Sequence, residues 1–267
     1  MPDSDLPIVR ILVAAVLAGL IVIVARHKGL LDPGGAIAAT VLGIALVGIG
    51  GWWTGILLVA FFLTSSLLST SKSGSPSRTW RQVVANGGPA VLFASLAVLF
   101  DLPSAMAATA ACLAAATADT WATEIGRRSG TIPRSITSFR KVPIGTSGAI
   151  SVPGSVASVV GAAGIAGLAV MLRPLAPIDL PGNAPLVVAI IFSGSIGSLV
   201  DTILGATLQA RYRCETCGMR TEFPENHHAD HYIRLESGLP PLTNDAVNFS
   251  ASAAAGLVAM VILLAGP

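Results

Sequence analysis

An all-α, polytopic integral membrane helix bundle of about eight transmembrane helices is the fold class this sequence predicts, and three observations predict it. Hydrophobic residues make up 53% of the chain and charged residues only 11%, against roughly 25% charged in soluble domains. The apolar residues gather in runs close to the roughly 20 residues that a helix needs to cross hydrocarbon. Aromatic residues are scarce at 5%, while glycine is plentiful at 28 residues. That composition suits helices whose backbones approach closely in lipid, not a barrel with aromatic girdles.

The runs lie near 6–26, 34–49, 52–71, 83–100, 103–125, 147–172, 184–208 and 246–266. The first follows Asp3 and Asp5, exceeds a signal-peptide core and has no clear cleavage site after it, so it reads as a retained span. The second and third are short and separated only by 48–51, which leaves a merged or re-entrant segment as the alternative there. Residues 1–267 therefore read as a single integral membrane domain, with polar loops at 127–146 and 209–245 inside it.

If the spans alternate in direction, all of the 16 basic residues except Arg10 and Arg173 fall on one side. Positive loops are held in the cytoplasm, which predicts a protein of the cell (inner) membrane with both termini outside and both long loops cytoplasmic. A net charge of +2 gives no reason to expect nucleic acid; homo-oligomerisation is left open. Three cysteines make no disulfide framework. Cys214-x-x-Cys217 followed by His227, His228 and His231 has the ligand types of a structural zinc site, but the histidine spacing is irregular, and a polar loop with free thiols is favoured over zinc.

Asp119, Glu124, Asp201 and Asp245 lie within or at the edges of apolar runs. An ionised carboxylate costs about 2.5–3.5 kcal/mol at mid-membrane, so each marks a functional-site candidate. On a helix Asp119, Ala122, Thr123 and Gly126 share one stripe, with Glu124 about 140° away from Asp119. Asp201 and Gly205 repeat the acid-and-glycine arrangement, and Asp119-Thr120 beside Asp201-Thr202 hints at an internal repeat. Asn244, Asp245 and Asn248 open the last span. Carboxylate and amide oxygens at one level are what Mg²⁺ takes, together with water and phosphate oxygens. Candidate metal ligands are thus Asp119, Glu124, Asp201, Asn244 and Asp245.

The cationic half of such a site would come from the loops. Lys72 and Arg78 precede the fourth span, and Arg78, Gln82 and Asn86 form a polar ridge at i, i+4 and i+8. Arg140 and Lys141 lead into Gly145-Thr146-Ser147-Gly148 at the start of the sixth span, where free backbone N–H groups and a nearby lysine suit an anion. Lys72, Arg78, Asn86, Arg140, Gly145, Thr146, Gly148 and Asn248 are the candidate phosphate- and nucleotide-binding residues. The face formed by Ser151, Gly154, Ser155, Ser158 and Gly161 reads as helix packing.

Taken together these motifs resemble the membrane family of plant phytyl-phosphate kinase and its prokaryotic and animal relatives. The residues that carry the resemblance are Lys72, 81–87, Asp119-Thr120 with Glu124 and Gly126, Lys141-Val142-Pro143 with Gly145-Thr146 and Gly148, Asp201 and Gly205, Cys214-x-x-Cys217, and Asn244-Asp245 with Asn248. The glycine-spaced pattern at Asp119, Ala122, Gly126 and Gly130, followed by Lys141 to Thr146, is also similar to the membrane kinases of phytol and dolichol. The resemblance implies Mg²⁺-dependent transfer of a nucleotide γ-phosphoryl group, with CTP the preferred donor among nucleoside triphosphates, to an isoprenoid lipid phosphate. On that reading Asp119, Asp201, Asp245 and Lys141 are catalytic. The cysteine that the resemblance leads one to expect after the His227-His228 pair is replaced by Ala229. Two rivals share the same acids: an ion-coupled transporter, and a cytidylyltransferase that leaves the nucleotide on a lipid phosphate.

Overall fold

The computed structural model describes residues 6–69, 77–222 and 233–265; Lys72 and the three loop histidines lie outside them. The apolar runs are seven α-helices: α1 (Leu6–His27), α2 (Pro33–Ser69), α3 (Trp80–Phe100), α4 (Pro103–Arg128), α5 (Val152–Met171), α6 (Asn183–Thr207) and α7 (Asn244–Ala265). Six are long and apolar enough to cross a membrane. The remaining helix, α4, is alanine-rich, and every residue from Ser104 to Ala118 is buried. It packs against α2, α3, α5, α6 and α7, so its neighbours are protein rather than lipid, and small side chains matter there more than high hydropathy. Glycines on α6 set the spacing. A Cβ on Gly194 would fall 2.8 Å from the Ala114 Cβ, and one on Gly197 would fall 3.0 Å from the Ala255 Cβ. Helices in lipid gain their association from this kind of close packing.

The 37-residue α2 is two limbs joined at Gly51, whose backbone (φ 69°, ψ −169°) is not helical. The Thr54 hydroxyl donates to the Leu46 carbonyl at 2.6 Å. Eight residues along an unbroken helix span about 12 Å, so limb 52–69 must fold back against limb 33–50. The open choice between separate, merged and re-entrant segments resolves as a helical hairpin, and counting its limbs separately recovers eight runs. Gly51 lies under the Leu175 carbonyl, 3.3 Å from where its own Cβ would be. Gly51→Val is therefore expected to cost about 1–3 kcal/mol, read as a lower Tm in detergent.

The polar connections meet at one end. A short parallel bridge joins Leu31 to Arg78, Arg128 donates to the Leu68 carbonyl, and the Ala210 N–H donates to the Leu242 carbonyl. At the opposite end Arg10 donates to the Gly48 carbonyl at 2.8 Å, and Arg173 donates to the Pro181 carbonyl at 2.7 Å and the Asn183 Oδ1 at 2.8 Å. The only two basic residues read as lying on that side thus each hold oxygens of the protein itself.

Within the polar loops the backbone pairs as strands, which the helical expectation did not include. β1 (Arg134–Ser135) and β2 (Ala149–Ile150) form an antiparallel pair between α4 and α5. β3 (Arg211–Cys214), β4 (Arg220–Thr221) and β5 (Ile233–Ser237) form a three-stranded antiparallel sheet in the order β4-β3-β5, between α6 and α7. Both strand groups lie in the connections between helices, where chain segments outside the helices satisfy their N–H and C=O groups by pairing with each other.

Candidate functional site

A cleft of about 640 Å³ opens at the loop end, walled by the polar ends of α3, α4, α5, α6 and α7. On α4 it is lined by Asp119, Ala122, Thr123 and Gly126, the stripe expected from helical spacing. Asp201 and Thr202 line it from α6. Asp119 and the loop residue Glu222 are both near enough to repel the Asp201 carboxylate, and Asp201 Oδ2 is buried with no hydrogen-bond partner among the described residues. Two converging carboxylates, one with an unpartnered buried oxygen, fit a hard divalent cation. Among the described residues no three carboxylate, imidazole or thiolate groups converge as a finished metal site. The further ligands would be amide, water and phosphate oxygens, which is how Mg²⁺ is ordinarily held.

Asn244 and Asn248 line the cleft from α7, and Asp245 does not. Thr243 starts this helix, its hydroxyl accepting from the Ala246 N–H at 3.3 Å. Residues four apart share a stripe, while their neighbours lie about 100° round the helix, so the two asparagines face inward together and Asp245 turns away. Asp245, expected as ligand and catalyst, is thus placed off the cleft-facing stripe; its place in the first turn suits an acid beside the helix dipole.

Glu124 reaches the cleft by another route. Its carboxylate lies 3.6 Å from Arg128, one turn on, and it acts electrostatically on Arg78. It thus serves as counter-charge to arginines, and it lines the cleft from an unbroken α4. Arg78 is held by its backbone: its N–H donates to the Leu30 carbonyl at 3.0 Å and its carbonyl accepts from the Asp32 N–H at 3.1 Å. Gly35 makes room for it, since a Cβ there would lie 3.2 Å from the Arg78 carbonyl carbon. Burial pulls the Arg78 guanidinium below its ordinary value and Glu124 opposes the shift; an arginine remains charged throughout. Gln82 closes a capping box with Thr79, and the Asn86 amide donates to the Gln82 carbonyl at 2.9 Å, leaving the Asn86 oxygen for the cleft.

The turn 145–148 lines the cleft as well. It is separated from α5 by β2, so it is not the helix N-terminus that the sequence suggested; Ser151 caps α5, accepting from the Gly154 N–H at 3.2 Å. Thr146 turns back on itself, its N–H and hydroxyl both donating to the Pro143 carbonyl, at 3.2 Å and 2.8 Å. That leaves the glycine backbone, rather than the threonine hydroxyl proton, for an anion. Arg211 ties the turn to α6 by donating to the carbonyls of Ser147 and Gly205.

Arg140 and Lys141 are exposed and do not line the cleft. Their backbone pairs with 133–135 in a hairpin that carries both side chains outward. The cation at the turn is Arg127, whose guanidinium lies 3.9 Å from the Cβ position of Gly145. From the sequence Arg127 stands out only as a positive-inside charge. Residue type and spacing also pass over Gln209 and Glu222, and mark Ser151, Ser155 and Ser158 as packing, yet all of these line the cleft. The signal for Arg127 was available: it lies one residue beyond Gly126, where α4 leaves the bundle. Burial raises the Glu222 carboxyl above its ordinary range, opposed by a Gln209 hydrogen bond and by Arg211 and Arg127. Cys214 is buried and Cys217 exposed, with no disulfide joining them, and the histidines proposed as zinc partners fall outside the described residues.

The family model described as "Integral membrane protein DUF92" matches residues 16–256. An uncharacterized membrane protein of Methanocaldococcus jannaschii is 31% identical over 217 residues, 78% of this chain and 87% of that protein. Protein PGR of Arabidopsis thaliana is 28% identical over 274 aligned residues, 91% of this chain and 92% of that protein. No solved structure matches.

Proposed function

Since this chain belongs to the DUF92 family of integral membrane proteins, we propose that it is a membrane kinase moving the γ-phosphoryl group of a nucleoside triphosphate, CTP by preference, onto an isoprenyl monophosphate. The observation that carries the reading is the convergence of Asp119 and Asp201 in a cleft that also holds Arg78, Arg127 and the 145–148 turn. Phosphoryl transfer asks a protein mainly for positioning and charge neutralisation, and this inventory supplies both.

In the step, an acceptor phosphate oxygen bonds to the γ-phosphorus as the bond from that phosphorus to the β,γ-bridging oxygen breaks. A dianionic monophosphate and a tetra-anionic triphosphate give a tri-anionic lipid diphosphate and a tri-anionic nucleoside diphosphate. No proton moves, so no general base is required. Asp119 and Asp201 would hold Mg²⁺, with the side-chain oxygens of Asn244 and Asn248 beside them. Bound there, the cation offsets charge on the β- and γ-phosphates. Arg78 and Arg127 bind phosphate oxygens, and the glycines of the turn let the nucleotide approach the backbone closely. On this reading the loop end is cytoplasmic, in keeping with the positive-inside rule.

The test is purified protein in detergent with Mg²⁺, labelled CTP or ATP, and a panel of isoprenyl alcohols and monophosphates. Labelled diphosphate formed from the monophosphates, and stopped by a chelator, is expected. A product that retains cytidine would replace this reading with a cytidylyltransferase, and nucleotide-independent flux across vesicles would replace it with a carrier. Arg78→Lys keeps the charge but loses the guanidinium fork. It is expected to raise the acceptor KM by about tenfold, about 1.4 kcal/mol, measured from initial rates.

A further inference from the structure

A second, narrower groove lies between α1, the α2 hairpin and α3. Ala18 and Val22 line it from α1, Leu42 and Gly43 from the first limb of α2, and Leu58 and Phe62 from the second. Its free volume is about 80 Å³, against about 640 Å³ for the polar cleft. Its walls are apolar except at one end, where Arg78, Gln82 and Asn86 belong to both spaces.

Arg78 joins the two chemically as well. Its guanidinium carbon lies 5.7 Å from the centre of the Phe62 ring, on the groove side, while the charge of Glu124 acts on it from the cleft. Neither ion pair among the described residues involves it, so an anion arriving between groove and cleft meets a half-buried cation. The outer wall, α1, carries exposed apolar residues such as Leu20 and Ile23 and packs chiefly on α2, so the groove lies beside the lipid phase. Gly43 keeps it open: the atom nearest its Cβ position is the Ala18 Cβ, at 3.5 Å.

Resting on the kinase reading, we infer that this groove holds the hydrocarbon tail of the acceptor, a single-chain lipid phosphate, with its phosphate at Arg78 facing the Asp119–Asp201 end of the cleft. Charge complementarity at one end and an apolar channel at the other select an amphiphile with one anionic head. The small free volume, about 80 Å³, suits one chain rather than two. The tail enters from the bilayer past α1, and the nucleotide enters from the loop end.

The decisive experiment photo-crosslinks wild-type protein in nanodiscs with a prenyl monophosphate carrying a diazirine in its last isoprene unit. Label on Ala18, Leu42 or Leu58 is expected. Label confined to α5 and α6, or no label at all, overturns the tail site. Label in the groove without diphosphate formation overturns the kinase reading and leaves the tail site standing. Ala18→Phe and Gly43→Leu fill the groove, and each is expected to lower the ratio of kcat/KM for long-chain over short-chain acceptors by about tenfold. An unchanged ratio in folded variants, checked by size-exclusion profile, overturns the inference.

Discussion

Asp201→Asn is expected to lower kcat/KM for phosphoryl transfer by about 10³-fold, equivalent to about 4 kcal/mol of transition-state stabilisation, while leaving the protein as stable as before or slightly more so. The two halves of that result have one origin. Asp201 sits among carboxylates that repel it, with one oxygen buried and unpartnered among the described residues. In the unliganded protein this arrangement is a liability, because a buried polar group without a partner costs roughly 1–3 kcal/mol. A residue that detracts from folding and persists at a cleft points to a ligand that compensates it. An amide of the same size removes the charge and the repulsion together, so Tm in detergent should hold or rise as activity falls. Asp245→Asn is the contrast: its side chain is off the cleft-facing stripe of α7, and kcat/KM should stay within about threefold of wild type. Equal losses in both variants would put the catalytic acids somewhere other than this cleft.

Gly148→Ala is expected to cost about 2–5 kcal/mol of stability, seen as a large fall in Tm or as failure to purify as a monodisperse species. Two effects add. At φ 74° an L side chain carries a penalty of about 1–2 kcal/mol. A Cβ at this position would also lie 2.6 Å from the Ala206 Cα and 2.8 Å from its N; these are backbone atoms of α6, which cannot swing aside as a side-chain tip can, and such overpacking costs about 1–3 kcal/mol. Relief requires moving α6, which carries Asp201, so any folded fraction should also lose activity. Gly130→Ala provides the control. It has a similar φ of 67° with nothing within 4 Å of its Cβ position, so only the conformational penalty applies.

Much of the architecture was legible in the chain because bilayer thickness imposes a length and a hydropathy that local sequence must meet. The runs, the sidedness of the charges and the acid-bearing helix ends all follow from that constraint. The break at 48–51 was visible as glycine, but its outcome was not: a reversal at Gly51 depends on Thr54 meeting Leu46 and on the Leu175 carbonyl lying against the turn, contacts that no local pattern contains. The site divides in the same way. Residue type and spacing point to Asp119, Asp201, Arg78 and the glycine turn, which line the cleft, and to Lys141 and Asp245, which do not; Arg127 and Glu222 line it without belonging to that pattern.

What the sequence determined alone is that this is a membrane-spanning helical protein whose acids and bases gather at one end. Only the tertiary structure decided which of those side chains share a cleft. Hydropathy reports how deep a residue sits, but each helical residue turns about 100° from the last, and the rotation of one helix against its neighbour is set by contacts such as Gly148 on Ala206 or Gly194 on Ala114. On α7, where Gly256 packs on Phe93 and Ala255 on Gly197, Asn244 and Asn248 face the cleft and Asp245 does not, and Arg127 lies at Gly145 where the chain order had suggested a lysine.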